Sequence, residues 1–250
     1  MNAIRTALFC VLALIAGMAT ADEAHVAVAA NFAAPARQLA EKFSQATPHK
    51  LSISVGSTGK LYAQIKNGAP FDVFLSADDE TPLRMEQEKL AIAGTRFTYA
   101  VGKLVLWSPT AGVVDLNGDV LRKGNFKRLA VANPKLAPYG AAAQQTLEKM
   151  GMWSALQSRM VQGENIAQTL QFIASGNAEL GFVAFSQIQE GGKTSTGSHW
   201  LVPQVLYDPI LQDAVLLARA DGNRAARTFL DFLRGASARE LIRSSGYELP

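Results

Sequence analysis

Four short polar loops carry the residues whose types and positions could do chemistry. They are Ala29-Ala30-Asn31-Phe32, Gly56-Ser57-Thr58-Gly59, Pro138-Tyr139-Gly140 and Glu164-Asn165-Ile166. Each stands at the end of a β-like run or the start of a helical one. A loop so placed can aim free backbone N–H groups and a side-chain donor at one point. Helix N-termini bind anions in this way and need no cation. Taken singly, each loop is an ordinary helix cap. Taken together, at the carboxyl ends of strands in an open α/β sheet, they would line one cleft that holds an oxyanion. Lys60, on the first turn after Gly59, is expected to point to solvent.

Other chemistries find little support. His25, His49 and His199 are far apart and form no HxxxH or HExxH pattern, so a metal site is not expected. A GxSxG nucleophile elbow is missing. Gly56-Ser57-Thr58-Gly59-Lys60 is like a phosphate loop, but Leu61 follows the lysine and the full GxxxxGK[ST] pattern fails. Asp72, Asp78 and Asp79 could form an acid/base pair; as helix caps and strand-end carboxylates they need no such role. Lys plus Arg number 24 and Asp plus Glu 21, a surplus of only +3, with no dense basic run, so nucleic acid is not an expected partner.

Elements to position these loops are legible along the chain. Strands are expected at 25–30, 50–55, 71–75, 128–132, 180–185, 201–206 and 214–218, with the longest run at 98–107. Helices are expected at 35–46, 60–67, 78–89, 141–150, 166–174, 224–234 and 236–244, and a polar surface loop at 191–199. Such alternation means an α/β fold with mostly parallel sheets. There are too many strands for one compact sheet in 250 residues, so two lobes are expected. The run 98–107 would cross from one lobe to the other and 201–207 would return, making a hinge of two crossing strands. Residues 22–103 and 206–250 then form the first lobe and 104–205 the second.

The first 21 residues read as a cleaved secretory signal. Arg5 gives a positive start, Ala7 to Ala19 is apolar, and Ala19-Thr20-Ala21 supplies the small residues of a cleavage site. The apolar run falls short of the about 20 residues that span a bilayer. Cleavage removes Arg5 and no acid, leaving a net +2, and removes Cys10, the only cysteine. The mature chain would be exported, without a disulfide or a thiol.

In the loops and the segments around them, the chain resembles the periplasmic molybdate-binding proteins of ABC transporters. The stretches that carry the resemblance are VAVAANF (26–32), VGSTGKLYAQIKNGAPFDVFLSAD (55–78), VANPKLAPYG (131–140), ENIAQTL (164–170), ELGFVAFSQ (179–187) and SSGYELP (244–250). The resemblance implies the type II two-lobe periplasmic-binding-protein fold, closing by a hinge on a tetrahedral oxyanion. It places Asn31 where the family presents Ser or Asn, and Ser57 at the ligand-binding serine. It puts Tyr139 at a backbone-donor position and Ile166 at the aliphatic position that donates its N–H. One departure is Ala184, where a branch of the family has tyrosine; the Tyr139 hydroxyl is a candidate substitute. The implied function is periplasmic capture of molybdate, and of tungstate, by a monomer that delivers it to a membrane permease. It implies no cofactor, no direct metal ligand and no catalysis. Two other readings stay open: a binding protein for another oxyanion such as sulfate, and a secreted hydrolase using the cleft carboxylates.

Overall fold

The computed structural model describes residues 21–190 and 193–250. The signal-peptide reading, Cys10 included, falls outside these residues except at Ala21. Two five-stranded sheets organise the chain. The first runs Lys50–Gly56, Glu23–Ala29, Val73–Leu75, Ile210–Leu216, Phe97–Gly102 in spatial order. The second runs Ser198–Leu201, Leu104–Ser108, Leu180–Ala184, Leu129–Ala132, Met160–Gly163. Helices cover the sheets, and each lobe has its own apolar core. Val26, Val28, Leu39, Phe43, Phe229 and Leu233 are buried in one; Leu104, Leu106, Leu129, Leu147 and Phe182 are buried in the other. Burial on this scale, at about 25 cal/mol per Å² of apolar surface, stabilises a chain that has no disulfide to help it.

Mostly parallel sheets are expected from the alternation of elements, but both sheets are mixed. In the first, Glu23–Ala29 pairs in parallel with both neighbours, while Ile210–Leu216 is antiparallel to both of its own. In the second, Leu129–Ala132 has parallel partners and Leu104–Ser108 antiparallel ones. The reason is the crossing. A chain that leaves one sheet and later returns enters each without a crossover helix, and parallel pairing requires that helix.

The run 98–107 is two strands, not one. Phe97–Gly102 belongs to the first sheet and Leu104–Ser108 to the second, with Lys103 between them. Gly102 fits here because a Cβ would overlap the Tyr139 hydroxyl. The return is not a strand either. Ser198–Leu201 pairs within the second sheet, a 3-10 turn spans Gln204–Leu206, and Ile210 opens the strand of the first sheet. Pro203 and Pro209 flank this stretch and cannot donate to a ladder, which explains why it leaves both sheets. The expected surface loop 191–199 also contains ladder residues, at Lys193–Thr194 and Ser198–Leu201; 191 and 192 lie outside the described residues.

Three helices begin two or three residues before the position their periodicity suggests: Ala33–Ala46, Thr58–Lys66 and Pro138–Lys149. Ile166–Ala174, Arg224–Arg234 and Ala236–Ser244 match expectation. The early starts matter, because they bring Thr58 and Tyr139 onto first turns.

One buried charge ties the first sheet together. Asp213, fully buried, accepts from the Arg96 guanidinium and from Thr98 Oγ1 at 2.7 Å. Replacing Arg96 by Leu strands that carboxylate. The expected cost is about 2–3 kcal/mol of unfolding free energy, read as a lower urea midpoint at unchanged slope.

Candidate functional site

Asn31, Ser57, Tyr139 and Ile166 line one small cavity between the lobes. Ala29, Ala30, Thr58, Ala77, Ala137, Pro138 and Asn165 complete its wall. No Lys, Arg, Asp or Glu is in that lining. The cavity is small, with no room for an organic substrate.

The donors of this wall follow from the hydrogen-bonding of each helix start. An α-helix leaves its first N–H groups without internal carbonyls. At Thr58–Lys66, Gly59 N donates across the cleft to Leu136 O at 3.0 Å, and the Thr58 N–H remains. Ser57 is the N-cap residue, yet its hydroxyl does not cap the helix. At Pro138–Lys149 the proline has no N–H, and Gly140 and Ala141 donate to Ala137 O; the N–H of Tyr139 remains. At Ile166–Ala174, Asn165 Oδ1 accepts from Ala167 N at 2.9 Å and Gln168 N at 3.0 Å, so the N–H of Ile166 remains. Three helix starts thus each spare an N–H for the same cavity.

Side chains add two more groups. Among the described residues, two buried side-chain polar atoms lack a hydrogen-bond partner, Ser57 Oγ and Asn31 Oδ1. Both residues line this cavity. An unpaired buried polar group costs about 1–3 kcal/mol, so two at one place mark a site built for an external partner.

The remaining neighbours hold these groups still. Thr58 Oγ1 accepts from Ala77 N at 3.1 Å. Ala184 donates its N–H to Gln187 Oε1 at 3.0 Å, and Gln187 Nε2 donates to Ile166 O at 3.1 Å. The Tyr139 hydroxyl accepts from Gln212 Nε2 at 3.0 Å and abuts Gly102, so it reaches the hinge. Burial pushes the hydroxyls of Tyr99, Tyr139 and Tyr247 above the usual phenol range, so this layer stays uncharged well beyond neutral pH. Lys60, expected in solvent, is half-exposed and bridges the cleft mouth to Glu164 at 2.7 Å. Asp72 and Asp78 are committed elsewhere. Asp72 accepts from His25 N and pairs with Arg219, and Asp78 accepts from Thr81 at the start of a helix.

Gln212, Tyr99 and Tyr247 escaped sequence reasoning. The signal for Gln212 was present: Gln212-Asp213 is a polar pair inside an apolar run, where a strand has no use for it without buried partners.

A family model described as bacterial extracellular solute-binding protein matches residues 24–248. The chain belongs to that family. Among solute-binding proteins it is 55% identical to the molybdate-binding protein of Azotobacter vinelandii, over 94% of each chain. It is 47% identical to that of Rhodobacter capsulatus, over 94% of this chain and 93% of the relative. The solved periplasmic molybdate-binding protein of A. vinelandii superimposes with a TM-score of 0.89 at 42% identity, covering 91% of this chain and 99% of that one. A sulfate-binding protein from Mycobacterium tuberculosis shares the fold alone, with a TM-score of 0.74 at 14% identity. The relatives are binding proteins, not enzymes.

The Ser57 hydroxyl can be removed without disturbing its helix, since it caps nothing. Ser57→Ala is expected to weaken oxyanion binding about tenfold or more with the melting temperature of the free protein held or raised. Lys60→Gln removes only an exposed ion pair, worth up to about 1 kcal/mol, and is expected to cost less than about fivefold. Calorimetric titration of both variants checks the order; a larger loss for Lys60→Gln would make the lysine, not the serine, the anion's partner.

Proposed function

We propose that this chain binds molybdate in the cavity between its lobes and delivers it to the permease of an ABC transporter. One observation carries the reading. The two buried side-chain groups that lack a hydrogen-bond partner among the described residues, on Ser57 and Asn31, meet at a cavity lined without charge and faced by three helix starts. Identity of 55% and 47% to molybdate-binding proteins supports that choice of anion. The Thr58, Tyr139 and Ile166 N–H groups and the Ser57 hydroxyl supply donors; Asn31 supplies an amide. The ligand keeps its own four oxygens and takes no ligand from the protein. Residues 22–103 and 206–250 act as one lobe and 104–205 as the other. The working protein is a monomer in the periplasm after loss of residues 1–21.

Selectivity follows from donor chemistry and size. Molybdate, tungstate and sulfate are tetrahedral dianions near neutral pH, so charge does not separate them. Phosphate keeps a proton there and needs an acceptor; the three N–H groups and the Ser57 hydroxyl present donors, and no carboxylate lines the cavity to take that proton. Among the dianions, fixed backbone donors suit the longer metal–oxygen bonds, and each hydrogen bond stretched by a smaller anion weakens. Competitive titration is expected to show molybdate and tungstate binding alike and sulfate at least about a hundredfold more weakly, about 2.7 kcal/mol. Sulfate displacing molybdate at equal concentration would make this a sulfate-binding protein on the same fold.

A further inference from the structure

Gln212 is fully buried in the strand Ile210–Leu216 of the first lobe, beneath the cavity. Its carboxamide joins a residue of each lobe. Gln212 Oε1 accepts from Asn31 Nδ2 at 2.8 Å, and Gln212 Nε2 donates to the Tyr139 hydroxyl at 3.0 Å. Asn31 Nδ2 also donates to the Tyr247 hydroxyl at 3.0 Å. Both protons of the Asn31 amide are therefore spent on the protein. The atom with capacity left is Oδ1, an acceptor, which would repel a dianion.

The network around these two amides is reversible. Its other members are the hydroxyls of Tyr139, Tyr99 (3.2 Å from Gln212 Oε1) and Tyr247, and a hydroxyl can either donate or accept. Tyr99 and Tyr247 also have backbone acceptors, Ser76 O and Asn31 O, both at 2.9 Å. Turning the Asn31 and Gln212 amides over together needs no change of shape. Gln212 Nε2 then donates to Asn31 Oδ1, Tyr139 donates to Gln212 Oε1, the Tyr247 hydroxyl turns its proton from Asn31 O to Asn31 Oδ1, and Asn31 Nδ2 is left to face the anion. Turning Asn31 alone would set its Oδ1 against Gln212 Oε1, so the sense of one amide dictates that of the other.

We propose that Gln212 is a positioning residue that sets which atom of Asn31 meets the bound oxyanion, and so decides between fully ionised and proton-bearing anions. This rests on the oxyanion-binding reading of the cavity. A glutamate at 212 tests it, because a carboxylate accepts only. It would hold Asn31 Nδ2 and keep Oδ1 toward the ligand.

The experiment is calorimetric titration of wild type and Gln212→Glu with molybdate and with phosphate at about pH 8, where hydrogen phosphate is also a dianion. The added carboxylate repels both ligands equally, so the ratio of their affinities isolates the proton. Molybdate affinity is expected to fall at least about a hundredfold, while the phosphate-to-molybdate affinity ratio rises at least about tenfold. Unchanged molybdate affinity, or equal losses for both anions, would overturn the proposal. Failure of the wild type to bind molybdate would instead overturn the reading beneath it. A second measurement needs no variant. In wild-type protein with ¹⁵N-labelled side-chain amides, saturating molybdate is expected to move the cross-relaxation of the Gln212 amide protons from the Tyr139 ring to Asn31. Cross-relaxation that stays with Tyr139 would contradict the turn.

Discussion

A dianion taken out of water must be met by donors that are already in place, and this requirement organises the structure. No charged side chain lines the cavity. On the proposed reading, countercharge is replaced by the backbone N–H groups of Thr58, Tyr139 and Ile166, none of which has a partner among the described residues. Such donors are fixed by their helices, so they lose little freedom when they bind and do not reorganise. Ser57 remains a donor for the same reason: as an N-cap residue with no cap hydrogen bond, its hydroxyl is not consumed by its own helix.

The site is incomplete in either lobe. Asn31, Ser57 and Thr58 come from the first, and Tyr139 and Ile166 from the second. Direct bonds hold the lobes in register around them. Gly59 donates to Leu136 O, Gln212 to the Tyr139 hydroxyl, Ser186 to the Tyr247 hydroxyl, and Lys60 pairs with Glu164 at the rim. Most of these are short polar contacts, each worth about 0.5–1.5 kcal/mol net. Contacts of that size can be made and broken as a hinge moves, while a dry apolar interface could not. The hinge is correspondingly spare, with Lys103 alone joining one pair of strands and a proline-flanked turn making the return.

Much of this was legible in the sequence because local rules dominate where the loops sit. Strand-then-helix order marks the four loops, and the structure gathers a residue from each at one cavity. Asn165 was readable as a cap and is one, with its side chain on two N–H groups. The crossings were less legible. The run 98–107 is uniformly β-like, and only the tertiary demand of two sheets breaks it at Lys103. Periodicity places the starts of the helices at Thr58 and Pro138 too late, because it ignores a first turn whose residues face a cleft rather than a core. Gln212 and Tyr247 lie 181 and 216 residues from Asn31, a pairing that no local pattern encodes.

The central claim is that neutral, preset donors hold the anion without help from a cation. The salt dependence of affinity tests it most directly. Bulk salt screens exposed charges within about 10 Å at 0.1 M but leaves buried dipoles nearly untouched. Titration of the mature protein with molybdate from about 0.02 to 1 M sodium chloride is expected to change the Kd by less than about threefold. A steep, continuous loss of tenfold or more over that range would mean that Lys60 or another exposed cation carries the binding, and would contradict the account.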